Sequence, residues 1–208
     1  MLMSIGAAGV SASRWVAFAY DIADPKRARE ARGILAPHAG PRQYSVYECR
    51  MRYGWSHDLL AELSAVVHHT EDRLALWWPR NGTRVALQGN GKRSVRMETG
   101  DVEVVGRARC AELMAGAGNF IVSYDIVDPD RARHVHATVA SGGVMLQRSL
   151  YQWRCGAAVL FRMLDRCAEY IEPEDRFWVH PLRRIGDLWQ LREAPSSLLP
   201  IATHHWNS

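Results

Sequence analysis

Tyr20-Asp21-Ile22-Ala23-Asp24-Pro25-Lys26-Arg27-Ala28-Arg29 is written again as Tyr124-Asp125-Ile126-Val127-Asp128-Pro129-Asp130-Arg131-Ala132-Arg133, at a shift of 125 − 21 = 104 residues. Downstream, Gln43-Tyr44-Ser45-Val46-Tyr47-Glu48-Cys49-Arg50 is answered by Gln147-Arg148-Ser149-Leu150-Tyr151-Gln152-Trp153-Arg154 at the same shift. What lies between the two motifs is therefore duplicated without net insertion. The chain is a tandem repeat of whole domains.

Each copy opens with a short apolar run, Trp15 to Tyr20 or Phe120 to Tyr124, whose aromatic and β-branched residues predict a buried strand. Asp24-Pro25 and Asp128-Pro129 follow at once, each placing an N-cap acceptor before a proline at the first helical position. Asp21 and Asp125 thus sit at a strand-to-helix corner, where function is commonly grafted onto a rigid scaffold.

Working outward, the first half reads as a strand over 14–21, a helix over 25–36, an extended segment over 42–52 with a break near Gln43 to Ser45, a helix carrying Leu59, Leu60, Leu63, Val66 and Val67, and a strand over 73–78. The second half repeats this with strands over 119–125 and 176–180, a helix from Pro129, an extended stretch over 143–155 and a helix through Val159, Leu160, Met163 and Leu164. The order β-α-β-β-α-β predicts an α+β protein of two ferredoxin-like domains packed as a pseudo-two-fold dimer within one chain. Each domain gains an extra C-terminal strand, Asp101–Gly106 in the first half and Ile185–Leu191 in the second, of a kind that pairs with a neighbouring domain.

The expected boundaries are 14–106, a linker over 107–118 that is rich in Gly and Ala at its end, 119–194, and an irregular tail over 195–208. Between Pro79 and the extra strand, two alternating runs flank Gly89-Asn90-Gly91, which predicts a β-hairpin over 83–98 with no counterpart in the second half. Arg84, Lys92, Arg93 and Arg96 make this arm basic against the single acid Glu98, with Val85, Leu87, Val95 and Met97 as its anchoring face. Two readings of it stand: an arm that extends a DNA-binding surface, or an edge whose charges discourage aggregation.

Composition, at 48% hydrophobic and 23% charged, is that of a soluble globular protein. No apolar run approaches the roughly 18 residues of a membrane span. The start of the chain lacks the basic residues of a secretory signal, and Cys49, Cys110, Cys155 and Cys167 show no zinc or disulfide spacing. Reduced thiols and a cytoplasmic location are expected. The net charge of +4 is carried by 26 basic residues, all but Lys26 and Lys92 arginine, a composition that suits phosphate recognition through the guanidinium fork.

Capping occupies Asp24 and Asp128, which leaves Asp21 and Asp125 without a structural task in either copy. Brought together by a pseudo-two-fold axis, two such carboxylates suit Mg²⁺ or Mn²⁺, either to activate water against a phosphodiester or to bridge the halves without chemistry. Arg27, Arg29, Arg131 and Arg133 start their helices, where free N–H groups already favour phosphate, although a solvated helix face is the plainer fate of such residues. Ser45 and Ser149 lack a histidine partner at an interpretable spacing, and His68-His69, His134, His136 and His204-His205 are read as solvated rather than metal-binding.

Tyr-Asp-Ile with Asp-Pro-x-Arg-Ala-Arg, then Gln-Tyr-Ser-Val-Tyr-Glu-Cys and the late Glu-Asp-Arg-aromatic strand, resemble the CRISPR-associated Cas-two family, here as two fused copies over roughly 14–106 and 119–191. The resemblance implies a two-fold ferredoxin-like assembly, with the metal-binding and catalytic positions at Asp21 and Asp125. It also implies nucleic-acid contacts at Arg27, Arg29, Arg42, Arg131 and Arg133, and supporting aromatics at Tyr20, Tyr47, Tyr124 and Tyr151. Val144-Met145-Leu146 replaces the Arg42 neighbourhood in the second half, and Gln152-Trp153 replaces Glu48-Cys49, so a symmetric two-sided active site is not expected. The expected function is spacer acquisition, with double-stranded DNA bound at the centre of a complex with the Cas-one integrase. The alternative is a free-standing Mg²⁺- or Mn²⁺-dependent endonuclease acting on RNA or DNA, with a toxin-like ribonuclease sharing the same residues.

Overall fold

The computed structural model describes residues 13–43, 45–88, 94–99 and 102–190. In chain order they form β1 (Arg14–Asp21), α1 (Pro25–Leu35), β2 (Ala39–Arg42), β3 (Val46–Met51), α2 (Tyr53–Val66), β4 (Arg73–Trp77), β5 (Thr83–Gln88), β6 (Ser94–Thr99), β7 (Val102–Val105) and α3 (Arg107–Leu113). The second half adds β8 (Asn119–Asp125), α4 (Pro129–Ala140), β9 (Gly143–Gln147), β10 (Leu150–Arg154), α5 (Ala157–Cys167), β11 (Arg176–Leu182) and β12 (Leu188–Gln190). Both copies therefore run β-α-β-β-α-β, as their patterns predict. Among the described residues no helix is long and apolar enough to cross a membrane.

The opening runs are continuously apolar because both their faces are buried. In β1, Val16, Phe18 and Tyr20 pack under α1 and α2 together with Leu35, Leu60 and Leu63, while Ala17 and Ala19 face the other way into a second core. That second core also holds Trp77, Ile121, Leu146, Leu150 and Trp178, so it lies between the two sheets. A third core joins Val122, Tyr124, Val135, Phe161, Leu164 and Phe177 beneath α4 and α5. The layers run helices, sheet, sheet, helices.

The two sheets have the strand orders β12-β4-β1-β3-β2 and β7-β6-β5-β11-β8-β10-β9. The copies have exchanged strands. β5 leaves the first half to pair antiparallel with β11, Val85 opposite Val179, and β12 returns from the second half to pair with β4, Leu188 opposite Trp77. Neither sheet is complete without the other copy.

This corrects the reading of the extra strands. In the first half the exchanged strand is Thr83–Gln88, which follows β4 after a turn at Arg80–Gly82, while Val102–Val105 pairs with β6 at the outer edge of the larger sheet. The hairpin exists, with β5 and β6 antiparallel, but its first strand is interior. Val85 and Leu87 enter the helix-side core, and Ala86 enters the core between the sheets. The expected linker is a packed element, since Cys110, Met114 and Ala117, in and just after α3, belong to the core beneath α5. The expected tail lies outside the described residues.

The turn that sends the chain across is tightly specified. Asn81 and Gly82 take φ of 54° and 66°, and a Cβ on Gly82 would lie 2.2 Å from the Trp15 ring. Only glycine meets both demands.

Charges are buried where the strands cross. Glu48 on β3 accepts from Arg84 Nη1 at 2.5 Å and lies 2.6 Å from His180 Nε2 on β11, and Arg84 also pairs with Glu98 on β6. The Arg84 guanidinium sits 4.5 Å from the Trp178 ring centroid. Arg84 is thus a buried interface residue rather than part of a solvent-facing basic arm. Arg96 is half-buried, and Lys92 and Arg93 lie outside the described residues. Removing Glu48 leaves Arg84 with Glu98 alone and takes the partner from His180 Nε2 in an apolar seam, so Glu48→Ala is expected to lower unfolding free energy by about 3 kcal/mol in urea denaturation. A loss within about 0.5 kcal/mol would show that the network adds nothing to the seam.

Candidate nucleic-acid interface and carboxylate corner

Each corner is built by a cap and a clamp. The Asp24 carboxylate accepts from the Lys26 and Arg27 amides at 2.9 and 2.8 Å, and Asp128 does the same for Asp130 and Arg131 at 3.0 and 2.8 Å. These bonds, the amide of Arg27 and then that of Lys26 in the first copy, hold both capping carboxyls below their ordinary range.

The clamp is Asp72 in one copy and Asp175 in the other, a shift of 175 − 72 = 103, one less than that of the helix starts. Asp72 is fully buried and accepts from the Ala23 and His68 amides at 3.0 and 2.8 Å and from Arg27 Nε and Nη2 at 2.8 and 3.1 Å. Asp175 accepts from the Val127 and Glu172 amides, both at 2.9 Å, and from Arg131 Nη2 at 3.1 and 3.0 Å. Glu71 and Glu174 add outer ion pairs to the same arginines. Burial opposes the Asp72 charge, but Arg27 and the two amides overcome it and leave the carboxyl below the usual range.

Arg27 and Arg131 are therefore each paired with the buried aspartate that holds the corner. Arg29 and Arg133 project to solvent from the same turns, Arg133 with an ion pair to Asp130. Arg42 closes β2, and its counterpart at the common shift, Leu146, is buried between the sheets.

Asp21 ends β1 opposite Arg73, and Asp125 ends β8 opposite Arg176. The Asp21 carboxylate accepts from the backbone N–H of Arg148 in the other copy at 3.4 Å. Asp125 is exposed and carries no hydrogen bond or ion pair among the described residues, since Arg176 turns its Nη1 to the carbonyls of Pro173, Glu174 and Asp175. Both corner carboxylates are hard oxygen donors free of any capping or clamping duty. Among the described residues no group of three or more His, Cys, Asp or Glu could hold a metal, so an ion at either corner would rest on that corner's carboxylate and on water, oxygen ligands of the kind Mg²⁺ takes.

Behind the corners the tyrosines are packed in pairs. Tyr20 and Tyr47 stack with centroids 5.9 Å apart and hydroxyls at 3.3 Å, and Tyr124 and Tyr151 stack at 6.3 Å with both hydroxyls on His136 Nδ1 at 3.1 and 3.0 Å. Burial raises the Tyr124 and Tyr151 phenols, which keeps them neutral supports. The four cysteines are free thiols, and burial pushes Cys49 and Cys167 up to about 12.

A sequence model of CRISPR associated protein Cas2 matches the chain twice, over residues 14–81 and 119–186. The chain belongs to the Cas2 family. Each Cas2 match ends at the turn after β4 or β11, so the exchanged strands β5 and β12 lie just beyond it. Among solved structures, the crystal structure of a hypothetical protein TT1823 from Thermus thermophilus is similar at 28% identity, covering 34% of this chain and 85% of that one, with a TM-score of 0.32. No curated protein matches the sequence.

Three residues of the Cas2 corner were not singled out by pattern. Asp72 and Asp175 stand in the quoted Glu-Asp-Arg runs, and their signal was an acid placed just before an apolar strand in both copies. Arg148 sits in the quoted Gln-Arg-Ser run, and its place at the seam follows from packing between copies.

The clamp has a pH signature. A carboxyl held below its unfolded value contributes stability that is fully present above about pH 4 and is lost as pH falls through the folded value. Arg27→Ala is expected to cost about 3 kcal/mol at neutral pH and to flatten the loss of stability below about pH 4, read by urea melts across pH. An acid limb as steep as the parent's would remove Asp72 as its source.

Proposed function

We propose that this tandem Cas2 chain is a spacer-acquisition protein that binds double-stranded DNA at the centre of a complex with the Cas-one integrase. The observation that carries the reading is strand exchange between the two copies. One chain supplies what a dimer of single copies would supply, with the helix starts of both held by buried clamps. Lys26, Arg29, Arg133 and Arg148 are exposed around the corners and the seam, where they can meet phosphates without displacing an internal partner other than Asp130.

The seam is also unequal, which favours a scaffold over a two-sided enzyme. Where the first copy has Arg42 and Glu48, the second has buried Leu146 and Gln152. A second reading, metal-dependent endonuclease, draws on the freedom of Asp21 and Asp125 from capping or clamping, Asp21 making one long bond to the Arg148 N–H and Asp125 none among the described residues. They would hold the ion, and bound Mg²⁺ or Mn²⁺ would supply a water of lowered pKa for attack on a phosphodiester.

Duplex DNA titrated at several salt concentrations, paired with integrase pull-down, separates the readings. Asp21→Asn and Asp125→Asn should leave both interactions intact, while Arg29→Ala with Arg133→Ala should flatten the salt slope by about 0.9 per lost phosphate contact. Mg²⁺-dependent cleavage by the parent that vanishes in either Asn variant, without integrase capture, would establish the nuclease instead.

A further inference from the structure

The first turn of α2 carries more exposed aromatic surface than the fold needs. Tyr53 and Trp55 are 48% and 61% exposed, and Tyr53 packs at 5.4 Å against Trp78 and edge-on at 4.5 Å against His57. The Arg52 guanidinium lies 5.9 Å from the Trp55 ring centroid. Arg14 is exposed at the start of β1 opposite Met51, the residue before Arg52. His57 Nε2 is shielded from solvent and has no hydrogen-bond partner among the described residues.

The sister copy shows that helix formation does not require these groups. At the common shift, Arg52, Tyr53, Trp55 and His57 become Gly156, Ala157, Val159 and Phe161, and α5 still forms and buries Leu160, Phe161 and Leu164. In β11 the position of Trp78 is taken by Pro181, following the shift of 103 set by the clamp. Large rings kept in water beside Arg52, with Arg14 exposed on the neighbouring strand and Asp58 an acid on the helix, are the composition of a surface for stacked bases. Tyr, Trp and Arg are also enriched at protein interfaces, so the base-stacking reading rests on the arginine charge beside the rings, and the integrase arm of the test separates the two.

We propose that Tyr53 and Trp55, flanked by Arg52, form a stacking platform for unpaired nucleobases, present in the first copy alone. It lies at the end of the sheet opposite Asp21, since β1 runs from Arg14 to Asp21. Bound duplex whose strands part or overhang at one end would place free bases there, which makes the molecule directional. The inference rests on the nucleic-acid reading above.

The test is fluorescence titration of the full chain with oligothymidylate, with an abasic strand of equal length, and with duplex. The parent should bind oligothymidylate at least about fivefold more tightly than the abasic strand. Tyr53→Ala with Trp55→Ala should erase that difference while leaving duplex affinity and thermal melting unchanged, and Trp55→Phe should restore most of it. Equal affinity of the parent for both strands overturns the proposal, as does undiminished oligothymidylate binding by the double variant. If that variant instead loses only integrase capture, the patch faces protein. A parent that binds neither strand nor duplex overturns the functional reading as well.

Discussion

The edges of β4 and β11 must be covered, and each is covered by a strand from the other copy. An open edge would leave a row of backbone donors and acceptors without partners next to a buried core. Exchanging β5 and β12 satisfies both edges and closes the core between the sheets, where Ala86 and Leu188 lie with Trp77 and Trp178. The corners inherit their rigidity from this arrangement, because each clamping aspartate stands at the start of a strand whose far edge is held by exchange.

Fusion removes the need for the two copies to be alike. Opposite Ile121 on β8 stands His180, and opposite Ala17 on β1, the equivalent place, stands Trp77. Glu48 faces His180 and Arg84, whereas its counterpart Gln152 is buried with both amide atoms lacking a partner among the described residues. Two first copies brought together would set Trp77 against Glu48 in place of His180. The ionic half of the seam thereby favours the intended partner over a wrong one, a use for which buried charge is better suited than for raw stability.

The repeat, the capped corners and the ferredoxin-like order were all legible because they rest on local chemistry: apolar runs of strand length, an acid before a proline, and turn residues at fixed offsets. Two things were not. Thr83–Gln88 and Val102–Val105 both alternate, and which of them crosses is decided by the left-handed turn at Asn81 and Gly82 and by the helix-side core of the second copy that receives Val85 and Leu87. Arg27 and Arg131 look like phosphate ligands from the helix start alone. Their partners lie 45 and 44 residues further on, and a pairing at that distance is fixed by the fold rather than by any pattern.

The strand exchange also sets an order in time. Strand β4 is made early, but the residue that pairs with Ala75 is Gln190, made 190 − 75 = 115 residues later. During synthesis the first sheet emerges with an unsealed edge, and β5 emerges with no strand yet available to receive it on its β11 side. Contacts so distant along the chain form slowly, because a long loop must close before they return any energy. The nascent first copy is therefore an incomplete body that waits for the second, and the last described strand, three residues long, is the latch.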